Sequence, residues 1–221
     1  MPPKKSPRPS PTRAERLRQA SALRREHQRE QLRQTILTAA GELFLAHGYE
    51  GFSLRQVAER IGYSATTIYR YFTNKDDLLF ALVYEGFQEF EQALRAAAHS
   101  TDDPLRRLEA LGRAYIRFGL QHPVHYQLMF MQRADLLFRQ RAGQTSPPIE
   151  SFDLLQRAVQ QALAAGILRQ GDAETYSHAL WALVHGITSL AVAQMPSFTM
   201  PDLEDITDVA LHMSIEGLRR R

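Results

Sequence analysis

Two short apolar-periodic segments, each opened by a serine and separated by one glycine, constrain this chain more than any other feature. The stretch SLRQVAERIGYSATTIYRYF begins at Ser53. Ser53 followed three residues later by Gln56 is a capping box, so a helix starts there. Leu54, Val57, Ala58 and Ile61 form its buried side, and Gly62 is able to take the left-handed conformation that ends it. Ser64 then caps a second short helix over residues 65–72, with Ile68 and Phe72 four apart and facing inward. A short helix, a tight turn containing glycine and a second short helix make a helix-turn-helix. Its second helix is left with Thr66, Thr67, Tyr69, Arg70 and Tyr71 to distribute over its other faces.

The flanking sequence supplies the rest of such a domain. Ile36, Ala39, Ala40, Leu43 and Phe44 fall at helical spacing, and His47-Gly48 makes a stop. Asn74 caps a fourth helix, with Asp76 and Asp77 at its positive end. No segment carries a β signal. Further helices are predicted near 75–98, 104–121, 123–131, 149–166, 172–195 and 202–219. The expected fold class is all-α: a three-helix helix-turn-helix domain followed by a larger helical domain. The proline-rich start, MPPKKSPRPSP, reads as disordered. Residues 12–31 are strong helix formers without a continuous apolar stripe, and read as an arm that becomes helical only when bound. The expected organisation is therefore a disordered basic arm at 1–30, the helix-turn-helix domain at 31–75 and a helical domain at 76–221. Residues 139–148 read as a mobile loop.

Charge is distributed unevenly. Residues 1–75 carry 14 Lys/Arg against 6 Asp/Glu, whereas residues 76–221 carry 13 against 18. A basic front on an acidic body suits a polyanion partner. In a helix-turn-helix bound to DNA, the second helix enters the major groove and helix starts offer N–H groups to phosphates. Tyr69 and Tyr71 are stiff and tipped with a hydroxyl, so they reach phosphates at small entropic cost. Arg70 and Lys75 supply charge. Thr66 and Thr67 are small enough to let the helix approach the bases.

The stretch TILTAAGELFLAHGYEGFSLRQVAERIGYSATTIYRYFTNKDDLLFALV resembles the amino-terminal domain of TetR-family transcriptional regulators over about residues 31–83. The resemblance lies in the apolar helix ending in HGY, the serine-opened helix with Val57-Ala58, and the IYRYF block followed by Asn74-Lys75. It implies an all-helical homodimer that binds a double-stranded DNA operator and a small-molecule effector. It also implies DNA contacts from Ser53, Arg55, Thr66, Thr67, Tyr69, Arg70, Tyr71 and Lys75. The second part resembles the TetR subgroup whose regulatory domain carries a Trp…His-Gly signature, through AYIRFGLQHPVHYQLMF (114–130) and LWALVHGI (180–187).

The remaining composition excludes several functions. There is no cysteine, so disulfides, thiolate chemistry and Cys-ligated zinc are absent. His122 and His125 are three apart, and His178 and His185 seven apart, but no metal-ligand spacing such as H-E-x-x-H occurs. Neither a metal nor a cofactor is expected. No nucleophile elbow or phosphate loop is present, so an enzyme is not expected. Lacking a signal peptide or a membrane-spanning run, the chain is expected to be soluble and cytoplasmic. Phe87, Tyr115, Phe118, His122, Tyr126, Met129, Trp181 and His185 are candidates to line an effector pocket, although each suits a plain core equally. Leu183, Ile187, Leu190, Ile206, Val209 and Met213, on two apolar carboxyl-terminal helices, are candidates for a four-helix dimer interface. The leading expectation is a repressor released from a palindromic operator by a mainly apolar effector. The alternative is a small-molecule binding or sequestering protein whose basic front binds RNA or is structural.

Overall fold

The computed structural model describes residues 12–132, 150–193 and 203–220. The proline-rich start at 1–11 and the loop expected at 139–148 lie outside the described residues. The chain divides into two compact units, Met1–Thr73 and Asn74–Arg221, two residues before the expected boundary.

In the first unit, side-chain caps set where the short helices start. Helix α1 spans Arg13–His47, α2 Leu54–Arg60 and α3 Ala65–Tyr69. The Ser53 hydroxyl accepts from the Gln56 N–H at 3.4 Å, and the Ser64 hydroxyl accepts from the Thr67 N–H at 3.2 Å. Ile36, Leu37, Ala40, Phe44, Val57 and Ile68 are buried and make the core.

Two elements depart from the sequence expectation. Helix α1 begins at Arg13, so residues 13–30, read as a disordered arm, are helical. Once the buried turns at 36–44 have met the nucleation cost, each added Arg, Ala, Leu, Gln or Glu propagates the helix at little further cost. Helix α3 ends at Tyr69, not Phe72. The Arg70 and Tyr71 N–H groups bond back three residues, to Thr67 and Ile68 carbonyls at 3.2 and 2.9 Å. That tightening ends the helix before the extended backbone of Asn74 (φ −158°, ψ 179°) opens the next.

The second unit holds α4 (Lys75–Ala98), α5 (Pro104–Gln121), α6 (Pro123–Tyr126), α7 (Glu150–Ala164), α8 (Ala173–Ala193) and α9 (Leu203–Leu218). Asn74 Oδ1 accepts from the Asp77 N–H at 2.8 Å. Asp103 Oδ1 accepts from the Leu105 and Arg106 N–H groups, with Pro104 in the first turn. Those bonds hold the Asp103 carboxyl below its usual range. The segment expected as one helix over 123–131 is instead α6 followed by a π-helical stretch, Gln127–Gln132. Helix α5 packs against α4, α7, α8 and α9. Among the described residues there is no β-strand, and no helix is long and apolar enough to cross a membrane.

Gly62 takes φ +73°, and no atom lies within 4 Å of where a Cβ would stand. Gly62→Ala therefore isolates the backbone term, and should destabilise the protein by about 1–2 kcal/mol. Gly62→Asn should lose less, because asparagine tolerates this conformation. Urea unfolding of both variants checks the order.

Candidate nucleic-acid interface and regulatory cavity

The turn at Gly62 presents one polar face of the first unit. Arg55 on α2 and Thr66, Tyr69 and Arg70 at α3 are exposed, and Tyr69 keeps 52% of its surface. Arg55 and Arg70 make no ion pair among the described residues, whereas Arg60 is tied to Glu42 at 3.0 Å. Ser53 is exposed at the amino end of α2, where its hydroxyl serves as the cap. Thr67 is half-buried, with its hydroxyl 2.9 Å from that of Ser64, so it serves the cap as well as the surface. Tyr71 is half-buried just beyond α3, and Lys75 is the half-buried first residue of α4, in the second unit.

Continuation of α1 adds residues that the sequence reading passed over. Arg25, Gln28, Arg29, Gln31, Leu32 and Thr35 of α1 line a shallow groove with Tyr63 and Tyr71. Tyr63 is 48% exposed. Its position directly after the turn glycine was the one signal that could have marked it. The groove brings Arg25 and Arg29 beside Tyr63 and Tyr71.

The second unit holds an apolar, partly open cavity of about 280 Å³. Phe90 and Leu94 of α4, Leu111 and Tyr115 of α5, Phe152 of α7, Trp181 of α8 and Leu211 of α9 line it. His178, Ser151 and Tyr115 are among its few polar groups. Of the eight candidates taken from sequence, Tyr115 and Trp181 line this cavity. Phe87, Phe118 and Met129 are buried in packing, and Met129 is wholly enclosed. His122 lies instead in a surface groove with Phe118. Phe90, Phe130, Phe152 and His178 also line the cavity but are not among those eight, because neighbours on other helices decide which aromatic faces a void.

Tyr126 and His185 stand behind Tyr115. The Tyr115 and Tyr126 hydroxyls lie 3.0 and 2.9 Å from His185 Nδ1, and the Tyr126 hydroxyl also donates to the His185 carbonyl at 3.2 Å. The two phenols and the imidazole thus form one hydrogen-bonded cluster centred on Nδ1. Burial pushes the Tyr126 phenol up to about 12 and the Tyr115 phenol higher still. Burial also lowers the His185 pKa. The Trp181 and His185 rings face the same side of α8, with centroids 5.3 Å apart.

A third grouping involves residues for which no metal role was expected. Glu89, His122 and His125 each offer a ligand atom within 4.8 Å of the others. Glu89 is on α4, so no sequence spacing could have paired it with the histidines of α6 and its cap.

Of the candidate dimer residues, Leu190, Val209 and Met213 are exposed, and Met213 keeps 68% of its surface. Leu183, Ile206, Val209 and Met213 line one shallow apolar groove. Ile187 points inward and is buried.

Comparison with known proteins gives consistent matches. The family model for bacterial regulatory proteins of the tetR family matches residues 36–82. A second, for the tetracycline repressor-like carboxyl-terminal domain, matches residues 108–214. The HTH-type transcriptional activator FasR of Mycolicibacterium smegmatis is 30% identical over 102 residues, 46% of this chain and 47% of its own length. The chain thus spans about half the length of that relative. A transcriptional regulator of the TetR/AcrR family from Thermobifida fusca has a similar structure. It is 25% identical with TM-score 0.65, covering 86% of this chain and all of its own (100%). AibR, solved in complex with isovaleryl coenzyme A and operator DNA, shares the fold at 24% identity and TM-score 0.66, covering 82% of this chain and 96% of its own.

The Tyr115–Tyr126–His185 cluster generates a pH dependence. His185 titrates near 6.5 when unfolded and lower in the fold, so between those values the unfolded chain binds more protons. The stability it contributes is present above about pH 6.5 and is lost as pH falls toward the depressed folded value. His185→Gln should flatten the fall in melting temperature over that window. Circular dichroism melts across a pH series measure it, and an unchanged slope would contradict the assignment.

Proposed function

The chain belongs to the TetR family of bacterial regulatory proteins, and from that premise we propose that it is a transcriptional repressor. In this reading it acts as a cytoplasmic homodimer on a palindromic operator and is released by a small, mainly apolar effector. One observation carries the DNA-binding part: Arg55, Thr66, Tyr69 and Arg70 stand exposed on two helices joined by a turn that Gly62 fixes. Thr66 and Arg70 approach base edges, and Arg55 reads a base or a phosphate. Tyr69, Tyr71 and Lys75 hold the backbone. Arg25, Arg29 and the rest of the α1 extension add phosphate contacts.

The effector occupies the cavity beside Trp181. Its volume of about 280 Å³ falls just below the usual span of ligand pockets, roughly 300–1,000 Å³. The effector is therefore small, and its polar end faces Tyr115, Ser151 or His178. Phe90 and Leu94 of α4 line the cavity. Since α4 follows Thr73-Asn74 directly in the chain, a ligand that shifts α4 passes the movement along the backbone to the recognition segment. Release requires that the ligand prefer the DNA-incompetent state, by about 1–3 kcal/mol for a typical coupling, and DNA must then weaken the ligand by the same factor. Dimerisation proceeds through α8 and α9, whose exposed Leu190, Val209 and Met213 are covered by the same surface of a second copy.

Three measurements test this reading. On a duplex recovered by selection, Tyr69→Phe should weaken all sequence variants alike in fluorescence anisotropy. Arg55→Ala should also relax sequence preference, by about 1–3 kcal/mol at the base it reads, and a uniform loss would reduce Arg55 to a phosphate contact. Light scattering should give a dimer of the 25.2 kDa chain, and Val209→Glu with Met213→Glu should give a monomer. Trp181 fluorescence, titrated with apolar compounds with and without the duplex, should report weaker ligand binding when DNA is present. Equal affinity in both conditions would remove the switch and leave DNA binding standing.

A further inference from the structure

The joint between α5 and α6 brings two histidines against α4. His122 closes α5 and precedes α6, and His125 lies one turn on. Gly86 permits the approach. A Cβ there would stand 2.9 Å from the His125 Cβ and 2.8 Å from the Met129 Sδ, so a side chain at Gly86 would drive the two segments apart. Three residues later on the same helix, Glu89 Oε2 sits 3.3 Å from His122 Nδ1.

We propose that Glu89, His122 and His125 form a binding site for a divalent transition-metal ion of the zinc, cobalt or nickel type. The donor set is two imidazole nitrogens and one carboxylate oxygen, which suits these metals better than magnesium or calcium. All three ligand atoms lie within 4.8 Å of one another. Tetrahedral ligands bonded at about 2.0–2.1 Å stand roughly 3.3–3.4 Å apart, and the Glu89–His122 edge already has that length. Glu89 is exposed and can turn toward the ion, and the other edges need a shift of His122 small enough to keep its stack on Phe118.

An ordinary ion pair between Glu89 and His122 accounts for less. It leaves His125 Nε2, which is buried and has no hydrogen-bond partner, the kind of group that calls for a separate explanation. A cation held by His125 gives that ring a partner. The His122 ring is stacked on Phe118, with centroids 4.9 Å apart and planes inclined by 21°, which limits how far it can swing. Entry is from the groove that Glu89 and His122 line with Gln121 and Arg117. Three protein ligands leave a further position for water or for a donor atom of a ligand.

Bound there, the metal ties α4 to the α5–α6 joint. This site shares no residue with the cavity beside Trp181, and the proposal does not rest on the DNA-binding reading. The test uses the full chain without an affinity tag, stripped by a chelator and titrated with cobalt(II). The expected result is a saturable visible d–d band at one cobalt per chain, bleached by zinc, together with a raised melting temperature. Glu89→Gln and His122→Ala should each weaken cobalt by about tenfold or more, while His99→Ala, at an exposed histidine elsewhere on the surface, should leave it unchanged. Circular dichroism confirms that each variant is folded. No band at millimolar cobalt would overturn the proposal, and so would binding that survives both Glu89→Gln and His122→Ala or that disappears with His99→Ala.

Discussion

The close approach of α5 to its neighbours is the constraint on which the second unit depends. Gly112 and Gly119 stand where α5 meets α9 and α8. A Cβ at Gly112 would come within 2.6 Å of Leu211 Cδ2, and one at Gly119 would collide with Thr188. With those two side chains absent, one helix packs against five others, α4, α6, α7, α8 and α9. The same packing leaves a void among aromatic rings that cannot interdigitate fully, and it sets Tyr115 within reach of His185. Phe90, Tyr115 and Phe130 meet largely edge-to-face, with centroids between 5.2 and 5.9 Å. That geometry favours aromatic pairs.

The first unit depends on a different device. It has few buried residues, and local hydrogen bonds decide its shape: two serine caps, one left-handed glycine and a helix end tightened at Arg70 and Tyr71. Exposed arginines and a tyrosine are then held on short helices with little freedom lost on binding. Helix α1 extends that basic surface, so much of the amino-terminal charge belongs to a formed helix.

Legibility in the sequence followed the range of the interactions. Caps, helix starts and the turn at Gly62 depend on residues within four positions of each other, and the expected boundaries of α2, α4 and α5 match those observed. The length of α1 was misjudged because its first turns lack an apolar stripe, yet a nucleated helix needs none to continue. The end of α3 was set by competition with the Asn74 cap, which no propensity within α3 records. The cavity was hardest to read. Phe118 and Phe130 look alike in sequence, but only Phe130 lines the void, because that depends on helices distant in the chain. Glu89 escaped notice for the same reason.

The central claim is that the exposed face around Arg55, Thr66, Tyr69 and Arg70 recognises a specific duplex. Selection of the full chain against a random duplex pool at physiological salt, with single-stranded RNA as competitor, tests it most directly. The account predicts enrichment of an inverted repeat whose half-sites lie about one helical turn, roughly 34–36 Å, apart or a small multiple of that, with RNA failing to compete. A pool that stays random, or RNA that displaces the duplex equally, would contradict it.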